Sequence, residues 1–202
     1  KGEIIRDGLQ RLARIDPPGP IDVTPSPERG YRMRARAHLR NGRIGFFLEN
    51  THCICDVRES GQLLPETAVA LDAAADMLGE AGLIGDADLD VSENISGDMR
   101  AVHVDLAPDA RFERPRELRP VSGVTGLSWS RPAMSADRVV AGSPYVEDTL
   151  LLPPLMDRAA VPAIRLRRHV KAFFQGNRFL VNDLVAAVVG ACPPGPVIDL
   201  YA

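Results

Sequence analysis

The clearest hydrophobic pattern in the chain is a strict alternation over residues 31–40, YRMRARAHLR. The apolar positions are Tyr31, Met33, Ala35, Ala37 and Leu39. The positions between them carry Arg32, Arg34, Arg36, His38 and Arg40. A period of two is typical of a strand with one buried face, because successive side chains point to opposite sides. The sequence therefore predicts a strand with an apolar face and a basic face.

Turn residues and further short runs indicate that this strand belongs to an antiparallel sheet. Asn-Gly-Arg follows at 41–43, and Asn-Gly favours the positive φ angles of a type I′ hairpin turn. The returning strand is predicted over 44–50, and a third over 53–57. Another hairpin is predicted where residues 88–94 and 100–106 flank Ile-Ser-Gly-Asp. Weaker strands are predicted around 126–130, 137–142 and 163–167.

Two stretches have the apolar spacing of helices. Residues 3–15 repeat Ile5, Leu9 and Leu12 at intervals of four and three, and the prolines of 16–20 end the pattern. Residues 64–82 form the second predicted helix. Its expected inward positions are Ala68, Leu71, Ala75 and Leu78. The small side chains favour close packing of this helix against the sheet.

The pattern changes near the end of the chain. Asn177 is placed to cap a helix over 178–189, with Gly190 at its end, and 197–201, Val-Ile-Asp-Leu-Tyr, is typical of a buried strand. A helix followed by such a strand is typical of a parallel α/β domain. We therefore expect an α+β fold, in which an antiparallel region is followed by the start of a Rossmann-like unit.

Composition narrows the class of protein. Hydrophobic residues make up 45% and charged residues 25% of the 202 residues, which is ordinary for a soluble globular chain. No apolar run reaches the ~18 residues of a membrane span. A net charge of −3 argues against a general polyanion binder, so any nucleic-acid contact must be a local patch. Three cysteines favour a reducing compartment, and we expect a cytoplasmic protein without membrane contact.

The start of the chain, Lys-Gly-Glu-Ile-Ile, has no initiator Met and no signal-peptide pattern. We expect an internal start in a longer protein.

The basic strand face has two interpretations, both open at this point. Arginines at a period of two are suited to the phosphates of RNA or DNA, since guanidinium donates two parallel hydrogen bonds. Alternatively, the face is solvated and its charges prevent edge pairing. Cys53 and Cys55 share one side of a predicted strand, but two thiolates are too few for a closed metal site. We expect them to be small buried hydrophobic residues, and predict no metal site.

Gln175 and Asn177 precede the last helix and lie near the predicted tip of the strand 197–201. Ligands of doubly wound sheets bind beyond the carboxyl ends of the strands. Side-chain amides there are suited to a ribose, an adenine or an amino-acid group. Helix capping explains Asn177 equally well, but it does not explain Gln175.

Three stretches in order resemble the RNA 5-methyluridine (uracil-C5) methyltransferases. They are PSPERGYRMRARAHLRNGRIGFF at 25–47, RRHVKAFFQGNRFLVNDLV at 167–185 and VIDLYA at 197–202. The Y-R-x-R hairpin, the F-x-Q-x-N element and the D-L-Y strand stand in the family's order, with looser similarity over nearly the whole chain. Members of the family use S-adenosylmethionine (SAM) to methylate uridine in 23S rRNA or tRNA.

The resemblance implies a domain organisation. A helix in 1–20 is expected to pack on the methyltransferase domain, and 21–168 to form the central antiparallel domain. Residues 169–202 would begin the SAM-dependent methyltransferase domain, which is cut at its first strand. It also implies a monomer that acts on RNA, with 23S rRNA expected ahead of tRNA. Such a fragment is expected to bind SAM poorly by itself.

The resemblance also implies roles for individual residues. Gln175 and Tyr201 occupy the SAM-contacting positions of the family. Phe173 occupies the position near the target base, and Arg32 and Arg34 occupy positions suited to RNA contact.

In the family mechanism a Cys adds to uracil C6, so that C5 takes the methyl group, and a general base then removes the C5 proton. Both residues belong to motifs beyond the D-L-Y strand. No catalytic residue is therefore expected here, and Cys192 is not in the nucleophile's motif.

Many members of the family also bind a 4Fe–4S cluster. Ser60 stands where the later cluster cysteine is expected, and a serine is a poor iron ligand, so we expect no cluster. Cys53 or Cys55 as a replacement ligand stays open.

The alternative function is a non-catalytic RNA-binding module that uses the strand 31–40. A third possibility is another class of SAM or nucleotide enzyme.

Overall fold

A seven-stranded sheet organises the molecule in the computed structural model, which describes residues 1–51, 53–151, 163–174, 176–192, 195, 196 and 198. The helices are α1 (Gly2–Gly8), α2 (Val57–Ser60), α3 (Pro65–Glu80) and α4 (Val181–Ala191), with a π-helical turn at Leu9–Ala13 and a 3-10 turn at Pro115–Glu117. The strands are β1 (Arg34–Arg40), β2 (Arg43–Phe47), β3 (Ile54–Asp56), β4 (Leu83–Ile84), β5 (Ala87–Glu93), β6 (Arg100–Leu106), β7 (Arg111–Phe112), β8 (Gly126–Ser130), β9 (Arg138–Gly142), β10 (Tyr145–Leu150) and β11 (Ile164–His169).

The strand order is β3-β2-β1-β5-β6-β8-β9, and every neighbouring pair is antiparallel except β6 and β8, which run parallel. Two further pairs, β4 with β7 and β10 with β11, form small antiparallel sheets. The predicted mixed α+β fold with a mostly antiparallel sheet is therefore confirmed. The predicted last strand falls almost entirely outside the described residues.

β1 has the predicted alternation. The strand begins at Arg34, later than the predicted position 31. Its inner side chains are nearly inaccessible, with Ala35 3%, Ala37 0% and Leu39 4% exposed, and Met33 just before it is 1% exposed. In the hairpin to β2, Asn41 and Gly42 have φ angles of 51° and 73°, the left-handed conformation that a type I′ turn requires. Both the strand and its turn are therefore confirmed.

Helix α3 covers the apolar face of the sheet. Ala68, Leu71 and Leu78 are buried as predicted, but Ala75 is only half-buried. Ala74 and Met77 take core positions instead. At 3.6 residues per turn, positions 67, 68, 70, 71, 74, 77 and 78 form one wide buried stripe, and Ala75 lies near its margin together with Ala68.

The first predicted helix is confirmed as helical through Ala13, but it buries none of its residues in the described part of the chain. Leu12 is 85% exposed. Its expected packing against the methyltransferase domain stays a prediction, as do the domain boundaries.

The prediction that Cys53 and Cys55 are buried was wrong. Cys53 is exposed and Cys55 is half-buried, because Cys55 lies on β3 and Cys53 just before it, and this edge strand of the sheet covers little apolar surface.

The outer face of the sheet contains a fully buried histidine, His103 on β6. Its Nδ1 lies 2.8 Å from Ser128 Oγ, and its Nε2 lies 2.9 Å from Ser130 Oγ and 3.1 Å from Asp105 Oδ1. Burial lowers the pKa of His103, although Asp105 and Asp137 oppose the shift. The grouping of Ser, His and Asp has the composition of a nucleophilic triad, but Ser128 is 1% exposed and offers no access to substrate.

We expect the free energy of unfolding to fall as the pH drops below the ordinary histidine value of 6.5. The folded pKa is lower than the unfolded one, so the unfolded chain binds more protons in that range and gains stability. The slope should approach at most about 1.4 kcal/mol per pH unit. Urea unfolding at pH 7.5, 6.5 and 5.5 would measure it. His103→Gln should remove this part of the pH dependence, and equal slopes in both proteins would contradict the assignment.

Candidate nucleotide-binding cleft

A cavity of about 690 Å³ lies between the N-terminal end of β1 and the start of α4. The residues predicted to contact RNA, namely Arg32, Arg34 and Phe173, all line it. Its other lining residues are Thr24, Tyr31, Phe174, Gly176, Asn177, Leu180, Val181, Asp183, Leu184 and Ala187. The structure thus brings the Y-R-x-R and F-x-Q-x-N elements together in one cleft. Gln175 and Tyr201, the predicted SAM contacts, lie outside the described residues.

Backbone pairing joins the two elements. Met33 N donates to Gly176 O at 2.8 Å, and Arg178 N donates to Tyr31 O at 2.9 Å. Arg32 and Asn177 face each other as an isolated antiparallel bridge. The segment 176–178 therefore acts as a short extra strand beside the start of β1, and it forms one wall of the cleft.

The side chain of Asn177 is occupied by protein contacts. Its Oδ1 accepts a hydrogen bond from Phe179 N at 3.0 Å, and its Nδ2 donates to Ser26 Oγ at 2.9 Å. The helix begins at Val181 and not at 178, because a turn over 178–180 precedes it. Asn177 therefore stabilises that turn and does not cap the helix itself, which corrects the prediction.

Two adjacent phenylalanines that line the cleft differ in their exposure to solvent. Phe174 is half-buried, and the guanidinium of Arg168 lies 3.9 Å from its ring centroid. Arg168 is itself buried and held by Asp148, with Nε 2.8 Å from Oδ2. Phe173 is 83% exposed. Its ring is available to stack on a planar ligand, as aromatic side chains do on nucleobases.

Arg32 and Arg34 bring guanidinium donors to the cleft. Among the described residues, Arg32 bonds to uncharged oxygens, Gln62 Oε1 at 2.5 Å and the carbonyl of Arg34 at 3.1 Å, and makes no ion pair. Arg34 has a loose ion pair, with Nη2 3.8 Å from Asp90 Oδ1 and 3.4 Å from Lys171 O, and its Nε is buried without a partner in the described part of the chain. A buried donor left unpaired costs about 1–3 kcal/mol. An anionic ligand in the cleft would supply acceptors to both side chains.

The rest of the basic face is neutralised by aspartates, which neither of the two interpretations of this face included. Arg36 donates to both oxygens of Asp90, at 3.1 and 2.6 Å, and contacts Asp105 at 3.3 Å. Hydrogen bonding to Asp90 raises the pKa of Arg36. Asp90 is 1% exposed, so this pair is partly in the core.

The same neutralisation continues along β1. Asp88 Oδ1 lies 2.9 Å from His38 Nδ1 and accepts from Arg40 at 2.8 Å, while Asp86 contacts Arg40 at 3.3 Å. Burial would raise the pKa of Asp88, but the hydrogen bonds from His38 and Arg40 hold it below its ordinary value. The sequence signal for this was the acidic alternation D-A-D-L-D at 86–90, which pairs with β1.

No cluster of three or more metal-binding side chains occurs among the residues whose placement the structure gives. The Ser60 hydroxyl donates to Val57 O at 2.8 Å and accepts from Gln62 N at 3.3 Å, so it serves the turn that ends α2. None of the helices in the described ranges is both long and apolar enough to cross a bilayer.

Comparisons with known proteins bear on the fold. No protein-family model matches the chain, and no curated protein sequence matches it. Among solved structures, its fold is similar to that of a methyltransferase. That structure is the Pyrococcus abyssi tRNA (uracil-54, C5)-methyltransferase in complex with S-adenosyl-L-homocysteine, with a TM-score of 0.61 and 18% identity. The match covers 94% of this chain and 46% of the methyltransferase, so this chain spans less than half of its length.

We expect the two arginines of β1 to differ in their effect on stability. Arg36→Gln should lower the free energy of unfolding by about 1–3 kcal/mol, because it leaves the buried Asp90 carboxylate without its main partner. Arg32→Gln should change it by less than about 0.5 kcal/mol, since Arg32 is exposed and pairs with no carboxylate in the described ranges. Urea unfolding at pH 7 measures both free energies of unfolding. Equal losses of stability in the two variants would contradict the conclusion that Arg36 is neutralised by Asp90 while Arg32, among the described residues, is not ion-paired.

Proposed function

We propose that this chain is part of a SAM-dependent RNA methyltransferase that transfers a methyl group to C5 of uridine. The observation that carries the proposal is the cleft itself. It joins two motifs of the uracil-C5 methyltransferases, and it does so in a fold shared with a tRNA (uracil-54, C5)-methyltransferase bound to S-adenosyl-L-homocysteine.

In this proposal the described cleft residues hold the RNA. Phe173 stacks against the target base, while Arg32 and Arg34 bind the neighbouring phosphate through their guanidinium groups. The target base has to leave its stack to reach such a cleft. The cavity of about 690 Å³ is within the common size range of ligand sites, roughly 300–1,000 Å³.

SAM supplies the methyl group when bound. Gln175 and Tyr201 are proposed to contact it, on the resemblance alone. The nucleophilic Cys and the general base are proposed to belong to sequence motifs outside these 202 residues.

The alternative, a non-catalytic RNA-binding module on the basic strand, is less well supported. Arg36, His38 and Arg40 are engaged by aspartates of the neighbouring strand. Among the described basic positions of 32–40, Arg32 makes no ion pair and Arg34 makes a loose one of 3.8 Å with Asp90, so the least neutralised positive charge coincides with the proposed site.

Tritium release tests the proposal directly. The full-length protein that contains this chain is incubated with SAM and with RNA carrying tritium at C5 of uridine. Methylation at C5 replaces that hydrogen, so tritium should appear in water. Separate reactions with 23S rRNA and tRNA decide between the two substrates, of which we propose 23S rRNA. Release from neither RNA would contradict the function.

We expect Arg32→Gln to weaken RNA binding about tenfold at fixed salt and to reduce the salt slope of the binding constant by about one, because one phosphate contact is lost. Fluorescence anisotropy across a KCl series measures both quantities. Arg43→Gln is the matched control, since Arg43 is an exposed arginine at the far end of the β1–β2 hairpin. Equal weakening by both substitutions would indicate diffuse electrostatic binding and would contradict a site at the cleft.

A further inference from the structure

One buried carboxylate connects the hydrophobic core to the cleft. Glu93, at the end of β5, is 1% exposed and receives donors on both of its oxygens. Oε1 accepts from Thr67 Oγ1 at 2.6 Å and from Arg100 Nε at 2.8 Å. Oε2 accepts from Arg178. A carboxylate buried this deeply requires hydrogen-bond donors to compensate its charge. The donors to Oε1 and the donor to Oε2 therefore stabilise the same buried charge together.

Arg178 uses its whole guanidinium group in the interior. Besides Glu93, it donates from Nε to Gly30 O at 2.9 Å, and from Nη1 to Asn94 O at 3.2 Å and Ile95 O at 2.9 Å. It is 8% exposed. A planar group with five donors can hold these acceptors at once, whereas a lysine ammonium has only three donors on one nitrogen.

This interior contact lies beside the cleft wall. Arg178 directly follows Gly176 and Asn177, and its own amide makes one of the two hydrogen bonds that join the wall to the start of β1. The described residues from 173 to 178 belong to no helix or named strand. The register of the wall is therefore fixed by the side chain of Arg178 more than by local secondary structure.

We propose that Glu93 and Arg178 are positioning residues that set the affinity of the cleft for RNA. They hold the wall 176–178 in register with Tyr31 and Met33 without touching the ligand. This inference rests on the proposed function.

The test compares two substitutions on opposite sides of the Glu93 carboxylate, in the full-length protein that contains this chain. Arg178→Lys keeps the positive charge but loses most of the donors to Gly30, Asn94 and Ile95. Thr67→Val is the matched control, because it removes a buried hydrogen bond to Oε1 and leaves the contacts of Arg178 in place. The measurements are the unfolding midpoint, the Kd for 23S rRNA and for tRNA by fluorescence anisotropy at fixed salt, the steady-state KM and kcat for RNA, and amide hydrogen exchange.

Arg178→Lys should raise the Kd and the KM for RNA about tenfold, with kcat at saturating RNA within about twofold. Arg178→Lys should also accelerate hydrogen exchange of the backbone amides at positions 33 and 178. Both substitutions should lower the unfolding midpoint by a comparable amount. Thr67→Val should change neither the affinity nor the exchange of these two amides.

Unchanged affinity in Arg178→Lys, or an equal loss of affinity in Thr67→Val, would overturn the inference. If the unmodified protein neither binds nor methylates RNA, the proposed function fails, and the role in RNA affinity fails with it. Hydrogen exchange then still decides separately whether Arg178 fixes the wall.

Discussion

Buried arginine–carboxylate pairs are the constraint on which the cleft depends. Arg178 with Glu93 and Arg168 with Asp148 leave water almost completely, and each arginine also bonds to oxygens of other chain segments. Removing one partner of such a pair typically costs about 3–5 kcal/mol, because the other charge stays buried. Arg178 belongs to the cleft wall 176–178, and Arg168 stacks on Phe174, which lines the cleft. The position of the wall is consequently fixed by the same ion pairs that stabilise the core, although the wall has little secondary structure of its own.

Ion pairs on the outer face of the sheet determine where the protein carries excess positive charge. Asp86, Asp88 and Asp90 run opposite the arginines of β1, so most of the basic face carries no excess charge. Arg32 and Arg34 stand at the end of this arrangement and face the cleft. A chain with a net charge of −3 can therefore present to an anionic ligand, at the cleft end of β1, arginines that are less fully neutralised than Arg36 and Arg40.

The sequence predicted features that depend on near neighbours along the chain. The alternation of β1, the Asn-Gly turn and the apolar stripe of α3 are of this kind, and the resemblance brought Arg32, Arg34 and Phe173 to one site. The pairing of strands could not be predicted in the same way, because it is determined by tertiary packing. The parallel placement of β8 beside β6, the strand β10 and the aspartates opposite β1 were therefore missed or misjudged. The same limit applies to Asn177, whose contact with Ser26 joins distant segments.

Phe173 and Phe174 show how packing distinguishes two adjacent aromatic side chains. Their hydrophobicity is identical in the sequence, but the buried Arg168 stacks on Phe174, and Phe173 stays 83% exposed among the described residues. Leaving a phenylalanine exposed forgoes about 1.5–3 kcal/mol of hydrophobic stabilisation. Stacking of a base on an aromatic ring contributes about 1–3 kcal/mol, so a nucleotide bound as proposed would recover a similar amount. The exposure of Phe173 therefore agrees with the stacking role that is proposed for it.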